Sequence, residues 1–224
     1  MKQLSKQNNF VYLFFSLITL LFSAAVVGEL PGNFGEDLFS LVTLLMLFTS
    51  IKSITTDVTW TKTVYVVIGF FILLTLLSKF FPQDIYVYFI LIILLIFFIG
   101  SFAMAFKQVL LVGDIDGNKL VGSLTLYILL GLIWATIYLL ILVTDHQAFS
   151  GIDAGSWQEI FSRVAYYSFV TLTTLGYGDI LPTNHIAEFF VYMEAIIGVF
   201  YMAIIVSSLI SLRLAALQES KKDK

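Results

Sequence analysis

The sequence Thr171-Leu172-Thr173-Thr174-Leu175-Gly176-Tyr177-Gly178-Asp179, called the signature loop below, lies between two long apolar runs. A glycine in a helix interior costs about 1 kcal/mol relative to alanine, so Gly-Tyr-Gly argues against a continuing helix. Glycine also adopts positive φ without steric penalty. A short backbone that alternates its conformation can turn successive carbonyl groups to one side. We therefore expect a row of oxygens, with a threonine hydroxyl at its base, that can coordinate a dehydrated cation.

The signature loop resembles the filter of the tetrameric potassium-channel pore family, which usually reads Thr-x-x-Thr-Val-Gly-Tyr-Gly-Asp. The resemblance is strong over Tyr166–Pro182 and extends more weakly over Leu120–Leu212. Leucine replaces the family's valine and keeps its apolar packing. The resemblance implies that K+ is held by backbone carbonyls and one hydroxyl. The implied filter residues are Thr174, Leu175, Gly176, Tyr177 and Gly178.

The residues around the filter have expected roles of their own. The Tyr177 ring should face away from the ion and pack against the preceding helix. Asp179 follows at the outer mouth, where it can attract cations or hold the filter by hydrogen bonds. Some relatives pair this aspartate with a glutamate four residues before the filter threonine, but Val170 occupies that position here. The hypothesis is that Asp179 contacts one of three other side chains: Arg163, Tyr166 or Tyr167.

Composition indicates a membrane protein. The 224-residue chain is 59% hydrophobic and 12% charged, whereas soluble domains carry about 25% charged residues. The net charge of −3 gives no sign of a nucleic-acid partner. Without cysteine, the chain has neither disulfides nor a thiolate metal site. No catalytic constellation appears, so we expect no enzyme activity and no cofactor other than K+ in the filter.

The apolar pattern predicts an all-α membrane protein with six transmembrane helices. The second run is short for a bilayer that needs about 20 residues, so it should extend into its flanks. The first run is longer than a typical signal-peptide core and is interpreted as a transmembrane helix. Trp157–Thr173 is shorter and half-polar, and predicts a re-entrant pore helix before the filter. The six runs are Phe10–Val27, Leu38–Ile51, Val64–Leu77, Ile85–Phe106, Leu120–Val143 and Ile186–Leu212.

Basic residues predict the orientation. With both termini in the cytoplasm, the outer segments hold only Lys79 and Arg163. This asymmetry satisfies the positive-inside rule and puts the signature loop on the outer side of the cell membrane. The cytoplasmic segments would hold Lys2, Lys6, Lys52, Lys62, Lys107, Lys119, Arg213, Lys221, Lys222 and Lys224.

The predicted organisation has four parts. Residues 1–107 form a four-helix transmembrane domain, 108–119 a cytoplasmic linker, 120–217 the pore domain and 218–224 a short cytoplasmic tail. A voltage sensor needs about three to four gating charges per subunit, yet Ile85–Phe106 contains neither arginine nor lysine. We therefore expect no strong voltage gating. We expect no soluble regulatory domain in this short tail.

Five residues of the last run are candidates for gating. Glu194 is an acid inside a predicted span, where ionisable groups are costly and usually functional. Glu194 could bond Thr171 or Thr173, and Thr173 would then support the filter. Alternatively, Glu194 could act as a proton-sensitive gate or could only support packing. Gly198 lies where relatives commonly have a glycine that can bend the helix, although close packing is an equal alternative. A stripe at four-residue spacing could line the inner cavity with an apolar constriction: Gly198, Met202, Val206 and Ile210.

One chain supplies one filter strand, so the resemblance implies a homotetramer in the lipid bilayer. The predicted function is passive, K+-selective conduction. Three alternatives remain at this point: a transporter-like protein, a non-conducting membrane protein that reuses a pore loop, and a weakly selective cation channel.

Overall fold

The computed structural model describes residues 9–27, 29–30, 34–53, 58–81, 84–110 and 117–207. Within them the chain is almost entirely helical. A π-helical turn, Tyr201–Val206, continues the last α-helix, and two short strands, β1 (Phe149–Ser150) and β2 (Leu181–Pro182), form one antiparallel pair. The α-helices are α1 (Asn9–Val27), α2 (Phe34–Ser53), α3 (Val58–Phe80), α4 (Asp84–Leu110), α5 (Gly117–Thr144), α6 (Trp157–Leu172) and α7 (His185–Phe200).

Six helices in the described part of the chain are long and apolar enough to cross a membrane, and α6 is the exception. The prediction of six apolar helices is therefore confirmed by length and composition. The second helix extends beyond its apolar run at both ends, from Phe34 to Ser53, as a short run in a bilayer requires. The last predicted run continues to Leu212, but its final residues lie outside the described part.

The helices α1 to α5 pack in sequence, and α5 also packs against α1. The fifth helix thereby joins the first four while it also contacts α6. The predicted boundaries between residues 1–107, 108–119 and 120–217 stay predictions, and α5 makes contacts on both sides of them. The tail, 218–224, lies outside the described residues. Side chains of α1 and α2, among them Phe39, pack against α6, with the Phe39 and Phe161 rings 5.2 Å apart.

Polar contacts at the helix ends show which ends lie together. The amide of Phe10 donates to Asn118 Oδ1 at 3.3 Å, so α1 and α5 start at the same end. Lys79 Nζ lies 2.5 Å from Asp37 Oδ1, which joins the end of α3 to the start of α2. The contact between the end of α5 and the start of α7 comes from Asn184 and Asp145, 2.8 Å apart. The segment between Asp145 and Asn184 therefore leaves one end of the molecule and returns to the same end.

That segment reaches well into the helical body. A Cβ on Gly198 would lie 2.3 Å from the carbonyl oxygen of Leu172, so the last residue of α6 touches α7 at Gly198. Gly198 lies 13 residues beyond His185, the first residue of α7, which is roughly 20 Å along a helix. The C-terminal end of α6, where the signature loop begins, is therefore far from the end at which the segment enters.

Candidate functional site

The helix that precedes the signature loop has a well-defined start. Ser156 is its N-cap: its hydroxyl accepts from the Glu159 amide, and the Glu159 carboxylate accepts from the Ser156 amide at 2.9 Å. This reciprocal pair is a capping box, which satisfies amide groups that have no partner inside the helix. The helix runs from Trp157 to Leu172, one residue short of the predicted end.

The amide groups of the signature loop turn back to the end of α6. Leu175 and Gly176 donate their amides to the carbonyl oxygen of Val170, at 2.9 and 3.3 Å. Thr174 donates to the carbonyl of Thr171 at 2.9 Å. The last turn of a helix leaves carbonyl groups without partners inside the helix. Here the loop supplies those partners, and this fixes the loop against α6.

The backbone of the signature loop alternates its conformation. Thr174, Gly176 and Gly178 have φ of 59°, 59° and 78°. Thr174 is the only residue other than glycine with positive φ in the described part of the chain. A non-glycine residue in this region costs about 1–3 kcal/mol, and such strain concentrates at ligand-binding sites. The glycines were expected to give this freedom, whereas the strained Thr174 was not foreseen.

The carbonyl groups of residues 174–178 accept no hydrogen bond within the part of the chain that the structure describes. No group in the described part of the chain donates a hydrogen bond to any of these five oxygens. Their residues are all exposed in the single chain, including Leu175 at 55% and Tyr177 at 66%. Backbone carbonyls in native proteins almost always bind a donor, water or another ligand. This row of oxygens is therefore open to water or a cation.

The Tyr177 ring is expected to pack against α6, and this stays a prediction. The ring is two-thirds exposed in the single chain. The helix α6 presents its own aromatic side chains to α5 and α2, as Tyr167 and Phe161 illustrate. Any further cover for the Tyr177 ring has to come from outside the described part of the chain.

Two short strands hold the ends of the site together. Strand β1 pairs with β2 in the register Phe149 to Pro182 and Ser150 to Leu181. The amide of Thr183 adds a bond to the carbonyl of Ala148 at 2.9 Å. The segment before α6 is thereby tied to the segment after the signature loop.

Gly151 continues this contact toward the signature loop. It has φ of 82°, and a Cβ there would lie 2.1 Å from the carbonyl oxygen of Asp179. Only glycine fits both the backbone angle and the space. Its own carbonyl accepts from the Arg163 guanidinium at 3.2 Å. Two-residue strands have no periodic pattern, so this arrangement was missed in the sequence.

The three side chains that were predicted to contact Asp179 have different surroundings. Loss of hydration, followed by a side-chain hydrogen bond to Asp179, raises the pKa of Tyr166 above its ordinary value. The Arg163 guanidinium bonds Gly151 and lies over the Tyr166 ring, 5.7 Å from its centroid. Tyr167 is buried with its ring 5.4 Å from that of Tyr138. Of the three, Tyr166 is the one whose phenol has its pKa raised by Asp179.

Glu194 is completely buried between three helices. The Tyr138 hydroxyl of α5 donates to its Oε2, and Ser168 Oγ of α6 lies 2.5 Å from its Oε1. The sequence-based suggestion that it bonds Thr171 or Thr173 is wrong, because its two carboxyl oxygens bond Tyr138 and Ser168 instead. The Thr173 hydroxyl donates to the Phe169 carbonyl at the end of α6. The true partners were missed. A serine and a tyrosine inside apolar helices are the signal that could have revealed them.

The proposed cavity-lining stripe differs from the structure. Gly198 is buried against Leu172 rather than facing a cavity, and this close approach agrees with the packing alternative. Met202 is exposed in the single chain. The helix changes to π geometry at Tyr201, so four-residue spacing no longer keeps side chains on one face. The Val206 side chain and Ile210 lie outside the described residues.

The π turn is anchored on the same side as Glu194 and Gly198. Tyr201 is buried, and its hydroxyl donates to the carbonyl of Ser123 in α5 at 2.5 Å. Its ring lies 5.3 Å from the Tyr127 ring. One face of α7 and its continuation therefore packs on the chain's own helices at 194, 198 and 201.

A comparison with protein families finds one that fits this geometry. A family model described as an ion channel matches residues 126–213, which include most of α5, all of α6, the signature loop and α7. No curated protein and no solved structure matches the chain. Proteins of the matched family are typically not enzymes. Residues 126–213 are therefore similar to an ion channel, and the six helices long and apolar enough to cross a membrane point to a membrane protein.

Proposed function

We propose that this chain is one subunit of a homotetrameric channel that conducts K+ passively through backbone carbonyl groups. The observation that carries the proposal is the row of carbonyl oxygens at residues 174–178, which meet no donor in the described part of the chain. Such oxygens can replace the hydration shell of K+. The Gly-Tyr-Gly sequence around Tyr177 favours K+ over Na+ by its resemblance to the potassium-channel pore family.

In this proposal α6 is the pore helix. Its C-terminal end lies directly at the signature loop, which it holds through the Val170 carbonyl. The C-terminal end of a helix carries roughly half a negative charge. That charge would favour a cation next to Thr174. The capping box at Ser156 supports the opposite end, so the helix can keep this orientation.

The exposed surfaces support assembly with other copies. Leu175 and Tyr177 are more than half exposed in a single chain, and α7 buries only Ala187, Glu194 and Gly198. One chain supplies one row of oxygens, whereas a cation in a filter needs ligands from all sides. A closed ring around one axis meets this need, and the resemblance implies four subunits.

Two features of the charges complete the proposal. Basic residues concentrate in the segments assigned to the cytoplasm, which favours an outer position for the signature loop in the cell membrane. The fourth span has its one basic residue, Lys107, in its last turn. Without charges inside the span, a change in membrane potential does little work on it. We therefore propose a channel without strong voltage gating.

Ion flux into liposomes tests the proposal. Purified full-length protein should pass K+ much faster than Na+. Gly176→Ala should remove most of this flux, because alanine is strained at the φ of 59° that this position adopts. The matched control is Gly69→Ala in α3, where an added Cβ meets nothing within 4 Å. Its flux should equal that of the unchanged protein.

Other outcomes identify the alternatives. Equal K+ and Na+ flux would indicate a weakly selective cation channel. No flux from folded protein in either salt would favour a transporter-like or non-conducting membrane protein that reuses the loop. The mass of the purified assembly, measured with its detergent subtracted, should equal four chains. Any other number of chains would contradict the homotetramer.

A further inference from the structure

A chain of hydrogen bonds crosses three helices behind the signature loop. It begins at the Tyr138 hydroxyl of α5, which donates to Oε2 of Glu194 in α7. The other carboxyl oxygen, Oε1, lies 2.5 Å from Ser168 Oγ in α6. Ser168 Oγ lies 2.8 Å from the carbonyl oxygen of Gly131, again in α5. These hydrogen bonds thus start and end on α5 and pass through α7 and α6.

The number of protons available to these three contacts depends on the protonation state of Glu194. A hydroxyl group carries one proton, and a backbone carbonyl can only accept. If Glu194 is ionised, Tyr138 and Ser168 supply two protons for three contacts, and one close pair of oxygens has none. If Glu194 is a neutral acid, Oε1 donates to Ser168, and Ser168 donates to Gly131. Each of the three contacts then has its own proton.

The surroundings of Glu194 also favour the neutral carboxylic acid. The carboxyl is fully buried, and the titratable groups that face it are phenols: Tyr127 and Tyr138 from α5 and Tyr167 from α6. The ion pairs in the described part of the chain, Lys79–Asp37 and His185–Glu188, lie elsewhere. A buried charge without a partner of opposite sign is costly, whereas a neutral, hydrogen-bonded acid avoids most of that cost.

The same face of α7 also controls the position of the signature loop. Glu194 contacts α6 at Ser168, and Gly198, one turn later, contacts it at Leu172. Between these two contacts lies Val170, whose carbonyl binds the amides of two residues in the loop. A shift of α7 relative to α6 would therefore act on the turn that holds the loop.

We propose that Glu194 is a positioning residue for K+ conduction. As a neutral carboxylic acid it donates to Ser168 and accepts from Tyr138, and so holds the C-terminal turns of α6 and the signature loop in a conducting arrangement. It does not touch the ion. This inference rests on the proposed function, because conduction is the activity that it supports.

Two substitutions at Glu194 separate this role from an ionised or merely space-filling residue. Glu194→Gln keeps one donor and one acceptor, so K+ flux should stay within about twofold and K+/Na+ selectivity should be unchanged. Glu194→Leu keeps a similar volume but removes the hydrogen-bond donor and the acceptor. Because this leaves buried hydroxyl groups unpaired, K+ flux should fall by about tenfold or more. The matched control is Glu188→Gln, at an exposed acid on the same helix.

Ser168→Ala tests the other half of the bond with a smaller change. It should lower K+ flux in the same direction as Glu194→Leu, and the double variant should be little worse than either single one, because both remove the same contact. Elution of each variant as an intact assembly shows that it has folded. If Glu194→Leu does not assemble, Ser168→Ala and Glu194→Gln still decide the question.

Infrared spectroscopy tests the neutral acid without any need for conduction. The carbonyl stretch of a protonated carboxyl should be present in the unchanged protein and weaker by one group in Glu194→Gln. An identical stretch in both proteins would overturn the neutral acid. Flux in Glu194→Gln as low as in Glu194→Leu, or unchanged flux in both Glu194→Leu and Ser168→Ala, would overturn the positioning role. Absence of K+ flux from the unchanged protein would instead overturn the proposed function.

Discussion

The two sides of the signature loop differ in what holds them. On the side that faces α6, the amides of Thr174, Leu175 and Gly176 bind carbonyls at the helix end. Behind that helix end, Glu194 and Gly198 of α7 make close contacts with it. On the opposite side, the carbonyls of residues 174–178 meet no donor in the described part of the chain. The side against α6, called the back below, is therefore held by contacts within one chain. The side that carries the carbonyl oxygens, called the front, is open.

This difference separates two kinds of effect. A change at the front alters the ligands that we propose for K+, with little effect on how the single chain folds. A change at the back alters packing first, and reaches the ion only through the position of the loop. Flux and thermal stability, measured on the same variants, should therefore respond differently on the two sides. Four substitutions test this, in order of expected effect on function.

Gly178→Ala should have the largest effect on flux. Gly178 has φ of 78°, and no atom lies within 4 Å of an added Cβ. Alanine would be strained by about 1–2 kcal/mol but would not collide with its own chain. We expect K+ flux to disappear while the melting temperature falls by only a few degrees. A variant that conducts like the unchanged protein would show that the front does not need this conformation.

Gly198→Ala should lower stability and flux together. Its Cβ would lie 2.3 Å from the Leu172 carbonyl oxygen, so α7 and α6 must separate. Overpacking of this kind costs about 1–3 kcal/mol. Thermal unfolding and K+ flux of the same preparation measure both effects, with Gly69→Ala as the control. An unchanged melting temperature would show that the close approach of these helices contributes little.

Gly151→Ala should destabilise the contact between the two strands. The new Cβ would lie 2.1 Å from the Asp179 carbonyl oxygen, and φ of 82° is unfavourable for alanine. We expect a loss of about 1–2 kcal/mol, seen as faster hydrogen exchange at the Thr183 amide. Ser150→Ala, which removes one long hydrogen bond of 3.4 Å, is the control. Equal exchange rates in both variants would contradict the role of Gly151.

Tyr166→Phe should have the smallest effect of the four, a change in thermal stability below that of Gly151→Ala. Because the folded protein raises the pKa of the Tyr166 phenol, its stabilising effect should be complete below about pH 10, the ordinary value. It should decline as the pH rises through the raised pKa. Thermal stability measured from pH 6 to pH 11 gives the difference between the two proteins. A constant difference over the whole range, or the same difference for Tyr192→Phe, would exclude this role.

The sequence predicted the features that depend on local pattern. Apolar runs predicted six helices that are long and apolar enough to cross a membrane, because a span needs a minimum number of apolar residues regardless of its neighbours. The half-polar run after Ser156 predicted the bounds of α6 to within one residue, and the structure shows a capping box at its start. Gly176 and Gly178 indicated positive φ, which the backbone has at both positions.

The features that depend on neighbouring helices could not be predicted. The helical period shows that Glu194 lies inside a span, but it does not show which hydroxyl on another helix it meets. The two predicted partners were Thr171 and Thr173, of which Thr173 bonds the end of its own helix, whereas the partner on α6 is Ser168. The π turn at Tyr201 likewise depends on contacts with α5, including the bond to Ser123, and it ends the four-residue spacing that the sequence suggested.

The pairing of β1 with β2 has a consequence for folding. It joins residues that are 31 positions apart, Ser150 and Leu181, through a few bonds. The entropy lost in closing a loop grows only slowly with its length, and α6 fills most of this loop and shortens it further. Everything between the strands, including α6 and the signature loop, then forms one closed unit within each chain. Its amides should exchange with solvent as a group when the strands separate.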